Sequence, residues 1–121
     1  MAEFRLLRDG DKEQASALWQ ECFGDSDGFC RWFMSEQWNG EYSVAAVEEG
    51  KMVSMIHGRP YTLCIRGRGV PSVIMCGVAT APAYRHRGLM RRCMELFERN
   101  ARERGAYVLF QSPVDFRIYE W

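Results

Sequence analysis

The sequence predicts an α+β fold, a central mixed β-sheet of about five strands flanked by helices, and three observations carry that expectation. Extended segments joined by short glycine- and proline-containing turns run from residue 42 to residue 80, the pattern of an antiparallel meander. An amphipathic segment follows, with Leu89, Met90, Cys93, Met94, Phe97 and Ala101 recurring on one side of a helix. Residues 106–110 then form a continuous apolar run, the mark of a buried strand. A strand, a crossover helix and a strand make a right-handed unit, so the last two strands should be parallel.

The elements can be justified in order. Residues 3–7 alternate weakly and read as a first strand. Asp9 and Asp11 precede a helical pattern of Ala15, Leu18, Trp19, Cys22 and Phe23, which Gly24 can stop. Asp25, Ser26 and Asp27 offer caps for a second helix containing Phe29, Trp32, Phe33 and Trp38. Core packing accounts for the rings of these two helices; alternatively Phe29, Phe33 and Trp38 line an acceptor pocket. Residues 42–47 are a strand and residues 49–51 a hairpin turn. Residues 52–65 form a longer extended run, interrupted at Gly58 and Pro60, where proline argues for an edge, bend or bulge. Gly67, Gly69 and Pro71 turn the chain into a strand over residues 73–80, and Gly105 stops the helix that begins after Gly88. Pro113 opens a further short helical start with Phe116, Ile118 and Tyr119.

Composition bounds what such a domain does. The 121 residues make a single domain, 1–121, and sixteen basic residues balance sixteen acidic ones, which does not indicate a polyanion-coating protein. The positive charge is local: residues 85–104 hold seven arginines against three glutamates. Lysine is restricted to Lys12 and Lys51, so most of the positive charge is guanidinium, which suits phosphate. Five cysteines form no CxxC pair, and four lie in apolar periodic segments, so buried thiols are expected rather than disulfides or a metal site. The sequence shows neither a signal peptide nor an apolar run of membrane-spanning length, and a cytoplasmic protein without membrane partners is expected.

The chemistry concentrates in residues 74–90. An apolar strand ends at Pro82, a basic loop with one glycine follows, and a helix starts at once. That order brings backbone N–H groups, guanidinium groups and the positive end of a helix dipole together, a setting for phosphate. The stretch therefore reads as a pocket for the diphosphate of a large acyl carrier. Val78 is equally explained as a core valine, Arg85 and Arg87 as solvated charge, and Gly88 as a turn glycine, when each is taken singly.

Taken together, Val78-Ala79-Thr80-Ala81-Pro82-Ala83-Tyr84-Arg85-His86-Arg87-Gly88-Leu89-Met90 resembles the acetyl-CoA signature of the GNAT-type N-acetyltransferases. The ordered set of meander, V-x-T-x-P, R-x-x-G, amphipathic helix, apolar strand and following tyrosine covers almost the whole chain. The version with Met90, where many members carry Gly or Ala, is most similar to the Eis-like (enhanced intracellular survival) branch. The resemblance implies the GNAT acyl-CoA N-acyltransferase fold and, because full members are longer, a domain truncated before its closing two strands. It implies acetyl-CoA as co-substrate and no metal. Main chain at Val78, Ala79 and Thr80 would take the pantetheine arm, and the loop Arg85, His86, Arg87, Gly88, Leu89 and Met90 the diphosphate. Tyr119 would be the catalytic acid that protonates the departing thiolate. Residues 74–86 carry no acidic residue to serve as base; Glu36, Asp115 and His57 are candidates that the sequence does not rank, and His57 also reads as a hydrogen-bonded strand histidine.

The implied reaction is direct acetyl transfer to the amine of a small molecule or peptide. A non-catalytic acyl-CoA-binding or regulatory module is the alternative, separable by CoA binding without acetylation of an amine panel. A nucleic-acid module using the Arg-rich helix is disfavoured by that helix's apolar stripe and the balanced charge. The uncapped last strand makes a homo-oligomer plausible.

Overall fold

A computed structural model describes residues 1–109. In chain order these form β1 (Glu3–Leu6), α1 (Lys12–Phe23), α2 (Asp27–Trp32), β2 (Val44–Glu48), β3 (Lys51–Ile65), β4 (Arg68–Thr80), α3 (Leu89–Glu103) and β5 (Tyr107–Leu109). Short 3-10 turns cover Asp9–Asp11, Gly40–Tyr42 and Pro82–Tyr84, and a π-helical turn, Phe33–Gln37, extends α2. The strands lie in the order β1-β2-β3-β4-β5, antiparallel except that β5 runs parallel to β4. The mixed sheet and its crossover helix are as the periodicity requires.

The sheet separates two cores. Val44, Ala46, Ile56, Val73, Met75 and Val78 face α3, which covers them with Leu89, Met90, Cys93, Met94, Phe97 and Ala101. On the other face Ala45, Met55 and Ala79 meet Trp19, Phe33 and Met34 from the α1–α2 side. α3 is held additionally by Asn100, whose Nδ2 donates to the Glu41 carbonyl at 2.7 Å. Local signals set the helix ends: Ser26 Oγ accepts from Phe29 N at 3.1 Å, and Gly24 closes α1 in the left-handed conformation. Asp11 does not cap α1. It accepts two hydrogen bonds from Arg5, at 2.7 and 2.9 Å, and one from Arg8 N.

Three sequence expectations change. β3 is not interrupted at Gly58 and Pro60 but continues through them; the edge expected of the proline is met, because Pro60 lies past Ile56, the last residue of β3 paired with β2, and that side of β3 has no strand neighbour among the described residues. The second turn of the meander is Arg66-Gly67 alone, and β4 starts at Arg68, so Gly69 and Pro71 lie within the strand opposite Cys64 and Thr62. β2 begins at Val44, two residues later than expected, because Tyr42 closes the preceding 3-10 turn. No helix among the described residues is long and apolar enough to cross a membrane.

Candidate functional site

The site is built at the carboxyl end of β4. His57 pairs with Cys76 and Met55 with Ala79, so Gly77 and Val78 stand against the single residue Ile56 and form a β-bulge. Gly77 takes φ +59°, and a Cβ there would overlap Trp19 Cζ3 and lie 2.9 Å from His57 Cδ2. The bulge thus needs glycine for its backbone angle and for its space. After it, the Val78 side chain enters the core under α3 and Ala79 the opposite core. Ser54 Oγ donates to the Ala79 carbonyl at 3.2 Å and lies 2.9 Å from Thr80 Oγ1. Thr80 pairs with Ser54 while Ala81 N donates to the Val53 carbonyl at 2.8 Å. By the alternation of an antiparallel ladder, the main-chain N–H and C=O of Thr80 therefore face away from β3. β5 is described as far as Leu109, opposite Ile74, so residues 75–80 of β4 have no strand neighbour on that side among the described residues.

The loop that follows presents donors. Pro82–Tyr84 makes one 3-10 turn, and His86 and Gly88 both take left-handed φ, 65° and 76°. Left-handed residues in a turn bring successive N–H groups toward one side, the geometry of an anion nest. The first main-chain bond into α3 is Arg92 N to Gly88 O at 3.3 Å, and among the described residues no N–H from 85 to 91 has a main-chain acceptor. A Cβ on Gly88 would meet nothing within 4 Å, so the space over the loop is open. Free donors, an open approach and a helix dipole together fit a diphosphate.

The arginine side chains are placed otherwise than their position in the motif implies. Arg85 Nε donates to the Thr80 carbonyl at 3.0 Å, and Arg85 Nη2 lies 4.0 Å from Cys22 Sγ. Arg87 forms a two-point contact with Glu48, both distances 3.3 Å, and lies over the Tyr84 ring at 5.3 Å. His86 is exposed, whereas the side chains of Leu89 and Met90 are buried in the α3 core, which leaves only their main chain at the surface of the loop. Cys22 Sγ stands 3.5 Å from the Thr80 carbonyl, and burial pushes its thiol pKa up against the opposing effect of Arg85, so the group is a neutral S–H donor.

His57 is not at this surface. Its ring is 1% exposed and is boxed by Trp19, Phe33 and Trp38 at centroid distances of 5.6, 5.5 and 6.0 Å. The hydrogen bond expected of this strand histidine is made by Nε2 with Met55 Sδ at 3.2 Å, while Nδ1 has no partner among the described residues. Burial holds its pKa down at about 4, so the imidazole is neutral at pH 7. A sealed ring has no access to a substrate proton. Glu36 is exposed on the π-helical turn, and Asp115 and Tyr119 lie outside the described residues. Of the aromatics read as a pocket lining, Phe33 is in the core and packs on Trp19 at 4.6 Å, while Phe29 is 39% exposed. Among the described residues no group of three or more His, Cys, Asp or Glu could hold a metal ion.

Three contributors were not singled out from sequence. Glu48 and Lys51, on either side of the β2–β3 turn, reach the loop, Lys51 lying 5.6 Å over the Tyr84 ring. Cys22 arrives from the last turn of α1. The bulge at Gly77 did leave a signal, an isolated glycine inside a strand pattern.

Residues 3–121 match the family described as Acetyltransferase (GNAT) domain. No curated protein matches the chain in sequence. The fold is similar to that of a GCN5-related N-acetyltransferase from Kribbella flavida, with TM-score 0.82 and 19% identity over 98% of this chain and 31% of that one. It is similar to glucosamine-6-phosphate N-acetyltransferase from Arabidopsis thaliana, with TM-score 0.72 and 19% identity over 98% and 87% of the two chains. Aminoglycoside N-acetyltransferase AAC(6')-Iy in complex with CoA gives TM-score 0.80 and 16% identity over 99% and 82%. At these identities the structural likeness establishes the fold. The chain spans under a third of the length of the Kribbella protein.

Proposed function

This chain belongs to the GNAT acetyltransferase family, and on that premise we propose that it transfers an acetyl group from acetyl-CoA to the amine of a small molecule or peptide in the cytoplasm. The observation that carries the proposal is the run of N–H groups over residues 85–91, without main-chain acceptors among the described residues, set at the start of α3 beneath open space. The CoA complex of AAC(6')-Iy supports the donor. Placement in the Eis-like branch rests on the Arg85-His86-Arg87-Gly88-Leu89-Met90 version of the loop motif.

Acetyl-CoA would supply an activated acetyl group as a thioester. The loop N–H groups hold its diphosphate, with main chain from Arg85, His86, Arg87, Gly88, Leu89 and Met90, and Lys51 adds positive charge over the Tyr84 ring. The outward N–H of Thr80, with main chain at Val78, takes the pantetheine amides as a strand would, while the main chain of Ala79 faces β3 and supports the strand. A neutral amine attacks the acetyl carbon, the C–N bond forms as the C–S bond breaks, the nitrogen releases one proton to solvent, and Tyr119 gives a proton to the departing sulfur and regains one from solvent. Holding both reactants together can supply about 7–11 kcal/mol in favourable cases.

Gly88→Glu tests the assignment. A Cβ at this position meets no atom within 4 Å, and the φ of +76° costs the left-handed penalty of about 1–2 kcal/mol. The variant should therefore fold, with a carboxylate where the diphosphate belongs. Calorimetry should show acetyl-CoA affinity reduced by more than tenfold; an unchanged affinity removes the loop from the site.

A further inference from the structure

The most specific contact at the strand end is one the cofactor motif does not call for. Thr80 ends β4 with its carbonyl directed away from β3, and that carbonyl accepts from Arg85 Nε at 3.0 Å and from Cys22 Sγ at 3.5 Å. Arg85 Nη2 lies 4.0 Å from the same sulfur. Three elements therefore converge on one oxygen: the end of β4, the basic loop and the last turn of α1. Arg85 has no carboxylate partner among the described residues, and its guanidinium is folded back against the strand rather than held out over the loop.

We infer that the side chain of Arg85 is a positioning group and not a ligand of the diphosphate: its Nε, with the Cys22 thiol, clamps the Thr80 carbonyl and fixes the strand end on which the pantetheine arm is laid. This rests on the acetyl-CoA reading above. The clamp acts on two things at once. It sets the direction of the Thr80 peptide, and it anchors the first residue of the loop whose N–H groups face the phosphates. Charge is incidental to it, because the bond to the strand is made by Nε–H, the nitrogen nearest the backbone. Glutamine carries a donor nitrogen at the same number of bonds from Cα, so Arg85→Gln can rebuild the bond without a positive charge. Methionine has the same reach and no donor.

The test compares Arg85→Gln, Arg85→Met and the parent chain by two measurements. The first needs no ligand: the carbonyl ¹³C resonance of Thr80 should stay near its parent position in the Gln variant and move in the Met variant. The second is affinity for acetyl-CoA and for acetyl-pantetheine, which lacks the diphosphate. A clamp predicts Gln within about threefold of the parent for both ligands, and Met weakened about tenfold for both. A direct phosphate contact predicts Gln and Met equally weakened, for acetyl-CoA alone, and that result overturns the inference. So does a Thr80 resonance unmoved by Met. Cys22→Val should weaken both ligands together, by less than Arg85→Met; a loss confined to acetyl-CoA would again refute the clamp. Should the parent chain bind neither ligand while the resonance behaves as stated, it is the acetyl-CoA assignment that fails.

Discussion

Gly77→Ala puts the bulge of β4 under the most direct strain. Two costs can be read from the structure. The residue sits at φ +59°, where a Cβ costs about 1–2 kcal/mol. The methyl would also overlap Trp19 Cζ3 and press to 2.9 Å on His57 Cδ2. Trp19 cannot retreat easily: its Nε1 donates to Asp25 at 2.7 Å, and its ring packs on Phe33 at 4.6 Å and Phe23 at 5.5 Å. Overpacking of this kind typically costs about 1–3 kcal/mol more. The sum, about 2–5 kcal/mol, is a large part of an ordinary domain stability of about 5–15 kcal/mol. It should lower the melting temperature by about 10–20 °C. Gly67→Ala is the control, since its φ is +77° and a Cβ there meets nothing within 4 Å, leaving the backbone cost alone. Thermal melts followed by circular dichroism should place Gly77→Ala well below Gly67→Ala. Equal melting temperatures would show that the bulge does not rest on Trp19 and His57, and the account of the strand end would fail with it.

Acid should destabilise the fold through His57. Its folded pKa of about 4 lies below the ordinary 6.5, so the unfolded chain takes up the proton first, and stability present above pH 6.5 is lost as pH falls toward 4. The loss by pH 4 is about 3 kcal/mol. Urea titrations should show this slope in the parent and a flatter profile in His57→Gln; identical slopes would refute it. The Arg5–Asp11 pair acts in a separate, lower window, because hydrogen bonding to Arg5 holds the Asp11 carboxyl below its ordinary 3.8. Asn100→Leu should cost about 1–3 kcal/mol, because the Glu41 carbonyl loses its donor and Arg104 Nε its 3.2 Å partner. A melt within a degree of the parent would show that this bond does not hold α3 in place.

Much of the architecture was written in local pattern. The stripe from Leu89 to Ala101 could bury itself only as a helix, Gly24 and Ser26 fixed where two helices stop and start, and the Glu49-Gly50 turn required β2 and β3 to pair. The loop and its glycine were legible because a strand, a tight turn and a helix start are each signalled within a few residues. The extent of β4 was not, since Gly69 and Pro71 are turn formers that here are carried by pairing with Cys64 and Thr62 across the hairpin.

What each polar atom of the site meets was decided by the tertiary structure. Arg85 and Arg87 stand in the loop by sequence, yet one guanidinium turns to the Thr80 carbonyl and Cys22 and the other to Glu48. Cys22 lies 58 residues from Thr80 and 63 from Arg85. Backbone conformation follows from neighbours in the chain, so periodicity and punctuation reveal it. A long side chain chooses among partners brought from distant elements, and those partners exist only once the sheet and its two cores have assembled.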